Sequence, residues 1–163
     1  MDKLEIVNSK IRNLDNLLPL VNVWKFQGKK IVFTNGCFDL LHLGHVDYLA
    51  KAASMGDKLI IGLNTDLSVS SLKGEGRPIT DQRSRASILA SLFFVDAVVL
   101  FGEPTPLNLI STIKPDILVK GADYTIDRIV GADVVTANGG EVKTITYIDG
   151  YSTTAIEQKI RRQ

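Results

Sequence analysis

With 163 residues, 45% of them hydrophobic, the chain can fill one full core and is too short for two domains of ordinary size. Its 19 basic and 18 acidic side chains leave a formal charge of +1. With no basic run longer than Arg161-Arg162, nothing forms an electrostatic footprint for nucleic acid or an anionic membrane, although small anions remain suitable ligands.

A single cysteine, Cys37, excludes an intramolecular disulfide. The charged opening Met1-Asp2-Lys3-Leu4-Glu5 does not read as a signal peptide, and no stretch approaches the ~18 apolar residues of a membrane span. Together these features imply a cytoplasmic protein.

Residues 1–29 place Ile6, Val7, Ile11, Leu14, Leu17 and Leu18 at helical spacing, with Pro19 as a break and Trp24 and Phe26 beyond it as core or interface residues. They predict an N-terminal helical extension whose apolar side chains suit either a homodimer contact or a cap on the monomer's core. From residue 30 to 163, short apolar runs (Ile31 to Thr34, Leu59 to Leu63, Ala97 to Phe101, Ile117 to Lys120, Val142 to Tyr147) alternate with helical segments. That alternation predicts one Rossmann-like α/β domain, a five-stranded parallel sheet with helices on both faces. One helix follows Gly44, with Val46, Leu49, Ala50 and Ala53 at helical spacing. Another runs from Asp81 to Leu92 with Ile88, Leu89 and Leu92 on one face, and a third from Thr105 to Ile113 with Pro106 in its first turn. A final helical stretch carries Ile156 and Ile160. Lys73-Gly74-Glu75-Gly76, after a Ser-rich stretch, reads as a flexible loop.

Between the first strand of that domain and its helix lies Thr34-Asn35-Gly36-Cys37-Phe38-Asp39-Leu40-Leu41-His42-Leu43-Gly44-His45. Ligands of α/β folds sit beyond the carboxyl ends of the strands, where helix N-termini offer free N–H groups to an anion. If the helix starts near Leu43, His42 and His45 at i and i+3 both point toward its mouth, and Gly44 lets a polyphosphate approach the backbone. Phosphoryl and nucleotidyl transfer need positioned donors for charge growing on equatorial oxygens, and imidazole N–H groups supply them without a covalent step. The same pattern alone also fits a capping turn with surface or metal-binding histidines.

Ser152, Thr153 and Thr154 precede the last helical stretch, where hydroxyls cap free amides and a phosphate takes the remaining donors. Lys73, Arg77 and Arg83 lie in or after the glycine-flanked loop, as cations able to close over the β- and γ-phosphates. Asn64-Thr65-Asp66 and Lys120-Gly121-Ala122-Asp123-Tyr124 end two strands and face the same crevice. Asp123 suits ribose or acceptor hydroxyls. Asp39 and Asp66 suit an acceptor or hydrated Mg²⁺, or else serve as helix caps. Cys37 lacks a neighbouring pattern for a metal or a nucleophile and reads as a small turn filler.

Gly36-Cys37-Phe38-Asp39 with His42-Leu43-Gly44-His45 resembles the HxGH signature of the cytidylyltransferase-like nucleotidyltransferases, and Gly150-Tyr151-Ser152-Thr153-Thr154 resembles their second, Ser/Thr-rich signature. Within that superfamily, five segments resemble the D-glycero-β-D-manno-heptose 1-phosphate adenylyltransferases: Phe33 to Asp39, Leu72-Lys73-Gly74, Leu118 to Tyr124, Asn138 to Val142 and Gly150 to Thr154. Leu72-Lys73-Gly74-Glu75-Gly76-Arg77-Pro78 matches the LKGxxRP segment of one subgroup.

The resemblance implies in-line attack by a heptose 1-phosphate on the α-phosphorus of ATP. His42 and His45 would act at the α-phosphate and leaving group, and Lys73 on phosphate charge. The backbone of Thr34, Asn35, Gly36, Cys37 and Phe38, with Gly44, would lie close to the nucleotide. Ser152, Thr153 and Thr154 would hold the triphosphate, and Gly121 with Asp123 would sit beside the ribose. Asp39, Asn64, Asp66, Arg77 and Arg83 are the candidates for the acceptor. Mg²⁺ would be carried by the nucleotide phosphates with no protein ligand assigned. Members of this family often form the C-terminal half of a bifunctional kinase/adenylyltransferase. The present 163 residues leave no room for the kinase, which implies a stand-alone enzyme fed by a separate one.

Two other readings compete. A glycerol-3-phosphate-type cytidylyltransferase shares both signatures, but this chain has Tyr147 where those enzymes carry arginine before the last helix, so a bidentate nucleotide contact is lost. A non-catalytic nucleotide-binding module would need affinity but no transition-state donors, so both histidines, Lys73 and the Ser/Thr turn together favour an enzyme.

Overall fold

Residues 31–34 and 59–64 are buried without interruption, the pattern of strands covered on both faces. In the computed structural model, which describes residues 2–122 and 125–162, they lie in a sheet formed by β1 (Ile11–Arg12), β2 (Ile31–Gly36), β3 (Lys58–Asn64), β4 (Ala97–Phe101), β5 (Ile117–Gly121) and β6 (Glu141–Ile145). All pairings are parallel, in the order β1-β4-β3-β2-β5-β6. The architecture is Rossmann-like α/β, and the sheet has six strands where the sequence predicts five. The extra strand falls within the segment read as helical. Helix α1 (Lys3–Lys10) stops because the Asn13 side chain caps a new helix, α2 (Leu14–Phe26), by accepting from the Asn16 amide at 2.9 Å. Ile11 and Arg12 between them have room only to pair with Val98 and Val99, and two residues are too few to show a period.

Successive residues of each strand point to opposite faces, so two cores form. On one face Tyr48, Leu49 and Ala52 of α3 (Leu43–Ala53) and Ala86, Leu89 and Ala90 of α5 (Gln82–Ser91) pack on Val32, Leu59, Ile61 and Val98. On the other, Leu17, Val21 and Trp24 of α2 join Leu109, Ile110 and Ile113 of α6 (Leu107–Ile113) and Val135 of α7 (Ala132–Ala137). These pack over Ile31, Phe33, Ile60 and Val99.

Pro19 does not break the first segment but lies inside α2. An interior proline costs about 3 kcal/mol. Burial of Leu17, Val21 and Trp24, at roughly 1.5–3 kcal/mol for each large apolar side chain, outweighs it. The apolar face of α2 therefore covers the monomer's own core, whereas Phe26 is 94% exposed and belongs to no core.

Two further differences bear on the site. The Ser-rich stretch is helical, forming α4 (Asp66–Lys73), with the Thr65 hydroxyl capping Ser68 and Gly74 ending it at φ 92°. In α5 the inward position taken for Ile88 belongs to Arg85, and Ile88 faces solvent. Among the described residues no helix is long and apolar enough to cross a membrane.

Chain order now locates the crevice. From β2 the chain steps to β3 and β4 on one side, then returns to place β5 on the other side of β2. Ligands of such sheets bind where this reversal opens the carboxyl ends, and the turn after β2 lies there.

Candidate active site

The turn after β2 is shaped by Phe38, which has φ 46° and is buried. Its ring lies beneath Gly36, where a Cβ would come within 3.0 Å, and meets His45 edge-on at 5.2 Å between centroids. His42 caps α3 in extended conformation, its carbonyl accepting from the amides of His45 at 2.9 Å and Val46 at 3.1 Å. The two imidazoles therefore stack, with centroids 3.8 Å apart and planes 21° from parallel. Gly44 is needed for a reason beyond phosphate access: a Cβ there would press on the His42 ring at 3.1 Å and on Tyr151 at 3.2 Å.

Both Nδ1 atoms are buried and, among the described residues, have no hydrogen-bond partner of good geometry. Leaving buried polar nitrogens unpaired is costly, so the stack is held at some expense of stability. Burial pushes the His45 pKa down to about 4, with repulsion from His42 and Lys73 adding to it and the Leu40 backbone opposing; burial lowers His42 as well. The pair is thus neutral at pH 7, a stack of N–H donors rather than of imidazolium ions. Unfolding raises the His45 pKa toward its ordinary value of about 6.5. The unfolded chain then binds more protons than the folded one between pH 6.5 and 4, so this part of the stability is intact above 6.5 and is lost as pH falls through that window. We expect urea denaturation to show a loss on the order of 2 kcal/mol between pH 7 and 4.5 that is clearly smaller in His45→Gln. Equal losses in both proteins would refute the assignment.

A cavity of about 400 Å³ is lined by His45, while His42 lies behind it in the stack and outside the lining. Of the residues singled out from sequence, Asn35, Gly36, Cys37, Phe38 and Asp39 line it from the β2 turn, and Asn64, Lys73, Gly121 and Thr153 from elsewhere. Lys73, the last residue of α4, is exposed at its rim. Cys37 is a half-buried thiol whose pKa burial pushes up; its Sγ approaches Asn64 Oδ1 at 3.9 Å.

Other candidates do something else. Thr34 is fully buried and shares a hydrogen bond of 2.8 Å with the Tyr48 hydroxyl. Ser152 caps α8 (Thr153–Arg161) by accepting from the Ala155 amide at 3.0 Å, and Thr154 is exposed outside the cavity wall. Arg83 faces a separate shallow surface with Asp81 and Ser84. Asp66 accepts from Arg85 at 2.7 Å. The Asp39 carboxylate accepts from Arg77 at 2.9 Å and from the amides of Ile79 at 2.7 Å and Thr80 at 3.1 Å. Burial works to raise its pKa, but these hydrogen bonds and the Arg77 charge outweigh burial and hold it low. Asp123 lies outside the described residues. Among those described, no three His, Cys, Asp or Glu side chains are gathered to hold a metal ion.

Three groups take places at the site that the sequence reading did not assign them. Lys120, on β5, lines the cavity and donates to Asn35 Oδ1; the signal was a lysine at the end of an otherwise apolar strand. Tyr48 and Tyr147 stack at 5.3 Å and form its aromatic side. Arg85 is 1% exposed and donates to the carbonyls of Thr80 at 3.0 Å, Cys37 at 2.6 Å and Asn64 at 2.9 Å. An arginine four residues before Leu89, in the inward register of an amphipathic helix, was its signal. A side lobe of about 210 Å³ shares Asn35, Asn64, Leu72 and Lys120 with the main cavity and extends to Phe101, Pro104 and Arg128.

A family profile described as Cytidylyltransferase-like matches residues 33–159, from the strand before the histidine turn into the last helix. The chain belongs to the cytidylyltransferase-like family. Among curated relatives, the Bifunctional protein HldE of Geobacter metallireducens is 58% identical over 155 residues, covering 95% of this chain and 32% of that protein. The same-named protein of Paramagnetospirillum magneticum is 51% identical over 159 residues, 98% of this chain and 33% of its own length. The chain thus spans about a third of these relatives.

Solved structures share the fold. The lipopolysaccharide core biosynthesis protein from Thermoplasma volcanium GSS1 superposes with a TM-score of 0.59 at 29% identity, over 74% of this chain and 99% of that one. The pantoate-beta-alanine ligase from Francisella tularensis, complexed with beta-gamma ATP and beta-alanine, reaches 0.60 at 19% identity over 94% and 79% and supports the fold alone.

Proposed function

We propose that the chain is an adenylyltransferase that joins AMP from ATP to a sugar 1-phosphate, D-glycero-β-D-manno-heptose 1-phosphate, giving ADP-heptose and pyrophosphate. The observation that carries this reading is the neutral, stacked His42–His45 pair at the N-terminus of α3, whose His45 lines the cavity together with Lys73. Direct displacement needs no protein nucleophile, only donors placed where charge grows on the α-phosphate. The imidazoles supply those donors, and Lys73 meets the charge of the departing pyrophosphate. Thr153 and the free amides at the start of α8 serve the triphosphate.

Magnesium, carried by the nucleotide phosphates, would neutralise charge on the leaving group. The donor set fits that role because Asp39 and Asp66, the nearby carboxylates, already accept from Arg77 and Arg85. Tyr147, resting on Tyr48, gives the cavity an aromatic wall in place of the arginine of glycerol-3-phosphate-type enzymes, which favours ATP over CTP. The side lobe, with Lys120, Arg128 and Asn64, suits a polyhydroxylated acceptor. The chain's high identity to proteins named bifunctional supports the same pathway position, with a sugar kinase supplying the 1-phosphate.

A pyrophosphate-release panel crossing four nucleoside triphosphates with several sugar 1-phosphates and alcohol phosphates tests this reading. We expect release only with ATP, Mg²⁺ and a sugar 1-phosphate together. Release from CTP and glycerol 3-phosphate instead overturns the specificity, and no release with any acceptor favours a binding module.

A further inference from the structure

Helix α8 brings Thr153 to the cavity, yet none of its nine residues is buried. A helix of that length is marginal in water by itself, so its N-terminus needs a tether other than apolar packing. Arg77 reaches it. One guanidinium nitrogen donates to Glu157, and the other donates to Asp39 Oδ2 at 2.9 Å. Asp39 is the rigid end of this bridge, its side chain wholly enclosed and its second oxygen held by the Ile79 and Thr80 amides. Arg77 and Glu157 are 16% and 26% exposed, shielded enough for the pair to exceed the small value of an open surface ion pair.

The endpoints matter as much as the bridge. Asp39 lies three residues before His42 in the turn that shapes the histidine stack. Glu157 lies one helical turn after Thr153, on the same face of α8. The path Asp39–Arg77–Glu157 therefore ties the histidine wall of the cavity to the Ser/Thr wall. Both edges of the guanidinium are engaged, so Arg77 is not placed to hold an acceptor.

We propose that Arg77 and Glu157 are a positioning pair, a clasp that fixes the Thr153 end of α8 beside the triphosphate, so that nucleotide binding depends on it and acceptor binding does not. Its kinetic readout rests on the adenylyltransferase reading above. Arg161 also donates to Glu157, at 2.6 Å, but is 77% exposed and serves as the control.

The test uses Glu157→Gln, Arg77→Met, the double variant and Arg161→Ala in the full chain. It reads KM for ATP and for the sugar 1-phosphate, kcat, and amide hydrogen exchange across residues 153–161. Loss of the clasp in Glu157→Gln should raise KM for ATP about tenfold, the usual size of one such positional contact, and speed α8 exchange by a similar factor. KM for the sugar phosphate stays within about twofold, because the side lobe lies away from α8. Arg77→Met loses at least as much, and adding Glu157→Gln to it costs nothing more, since the partner is already gone. Arg161→Ala changes none of these.

An unchanged KM for ATP in Glu157→Gln, losses that multiply in the double variant, or a rise in acceptor KM instead overturns the clasp. If the wild-type protein turns over no sugar 1-phosphate, the adenylyltransferase reading fails by itself. Exchange rates still decide the clasp in that case: faster α8 exchange in Glu157→Gln and Arg77→Met supports it, and equal rates in all variants overturn it.

Discussion

Replacing His45 by alanine is expected to lower kcat by roughly 10²-fold or more and to leave ATP affinity within a few-fold, and His42→Ala to do the same. A factor of 10² corresponds to about 2.7 kcal/mol of barrier, the size of one well-aimed donor in a site shielded from water. The structure supplies the reason that the loss should fall on kcat. Both rings are neutral, so they offer the ground-state triphosphate little Coulomb attraction, and their N–H groups gain strength as charge gathers on the α-phosphate oxygens. Because the rings stack at 3.8 Å, each also holds the other in place. The double variant should therefore lose less than the product of the single losses. Steady-state kinetics beside calorimetric ATP binding separates the cases. A large drop in ATP affinity with unchanged kcat would show that the histidines bind substrate and do not favour its transition state.

Arg85→Met should be the most damaging single change outside the histidine pair. The guanidinium is fully enclosed and gathers the Cys37 carbonyl from the β2 turn, the Asn64 carbonyl from the end of β3 and the Thr80 carbonyl from the start of α5. Methionine matches much of its volume but leaves those carbonyls without donors, and buried unpaired groups cost about 1–3 kcal/mol each. Asp66 is 39% exposed and regains water, so its share is small. A net loss of roughly 3 kcal/mol and a fall in Tm of about 10 °C is expected for a chain of this size. Lysine should rescue little, because one ammonium does not span three carbonyls held by a planar fork. Activity falls with stability, since the three loops drawn together form one side of the cavity. A melting temperature within 2 °C of wild type would show that the loops hold themselves.

The layers of the fold were legible because long apolar runs and helical spacing report burial directly: β2 to β5 and the helices after Gly44 and Asp81 lie where those patterns fall. What escaped was set by partners distant in sequence. A two-residue strand carries no period, and α4 is written in serines, whose helical state depends on the Thr65 cap and the Gly74 stop. In the site, the place of His45 and Lys73 at the cavity was legible because a glycine-bearing turn at a strand–helix junction lies at the carboxyl end of the sheet, where such crevices open. The fate of the acidic candidates was not, because Asp39 looks like a metal or substrate ligand until Arg77 and two amides are seen to fill its oxygens. A burial pattern marks a position as inward; it does not say that an arginine there serves three carbonyls.

The shortest strand has a consequence for where the protein can be cut. Pairing of Ile11 and Arg12 with Val98 and Val99 closes the outer edge of β4, and α2 roofs Ile31, Phe33 and Val99. A version beginning at residue 30 would retain every residue that lines the cavity and its side lobe. It would also display a bare, hydrophobic strand edge beside an uncovered apolar face, the combination by which sheets recruit one another into aggregates. The first 29 residues line no part of the cavity, yet they keep the sheet beneath it from becoming adhesive.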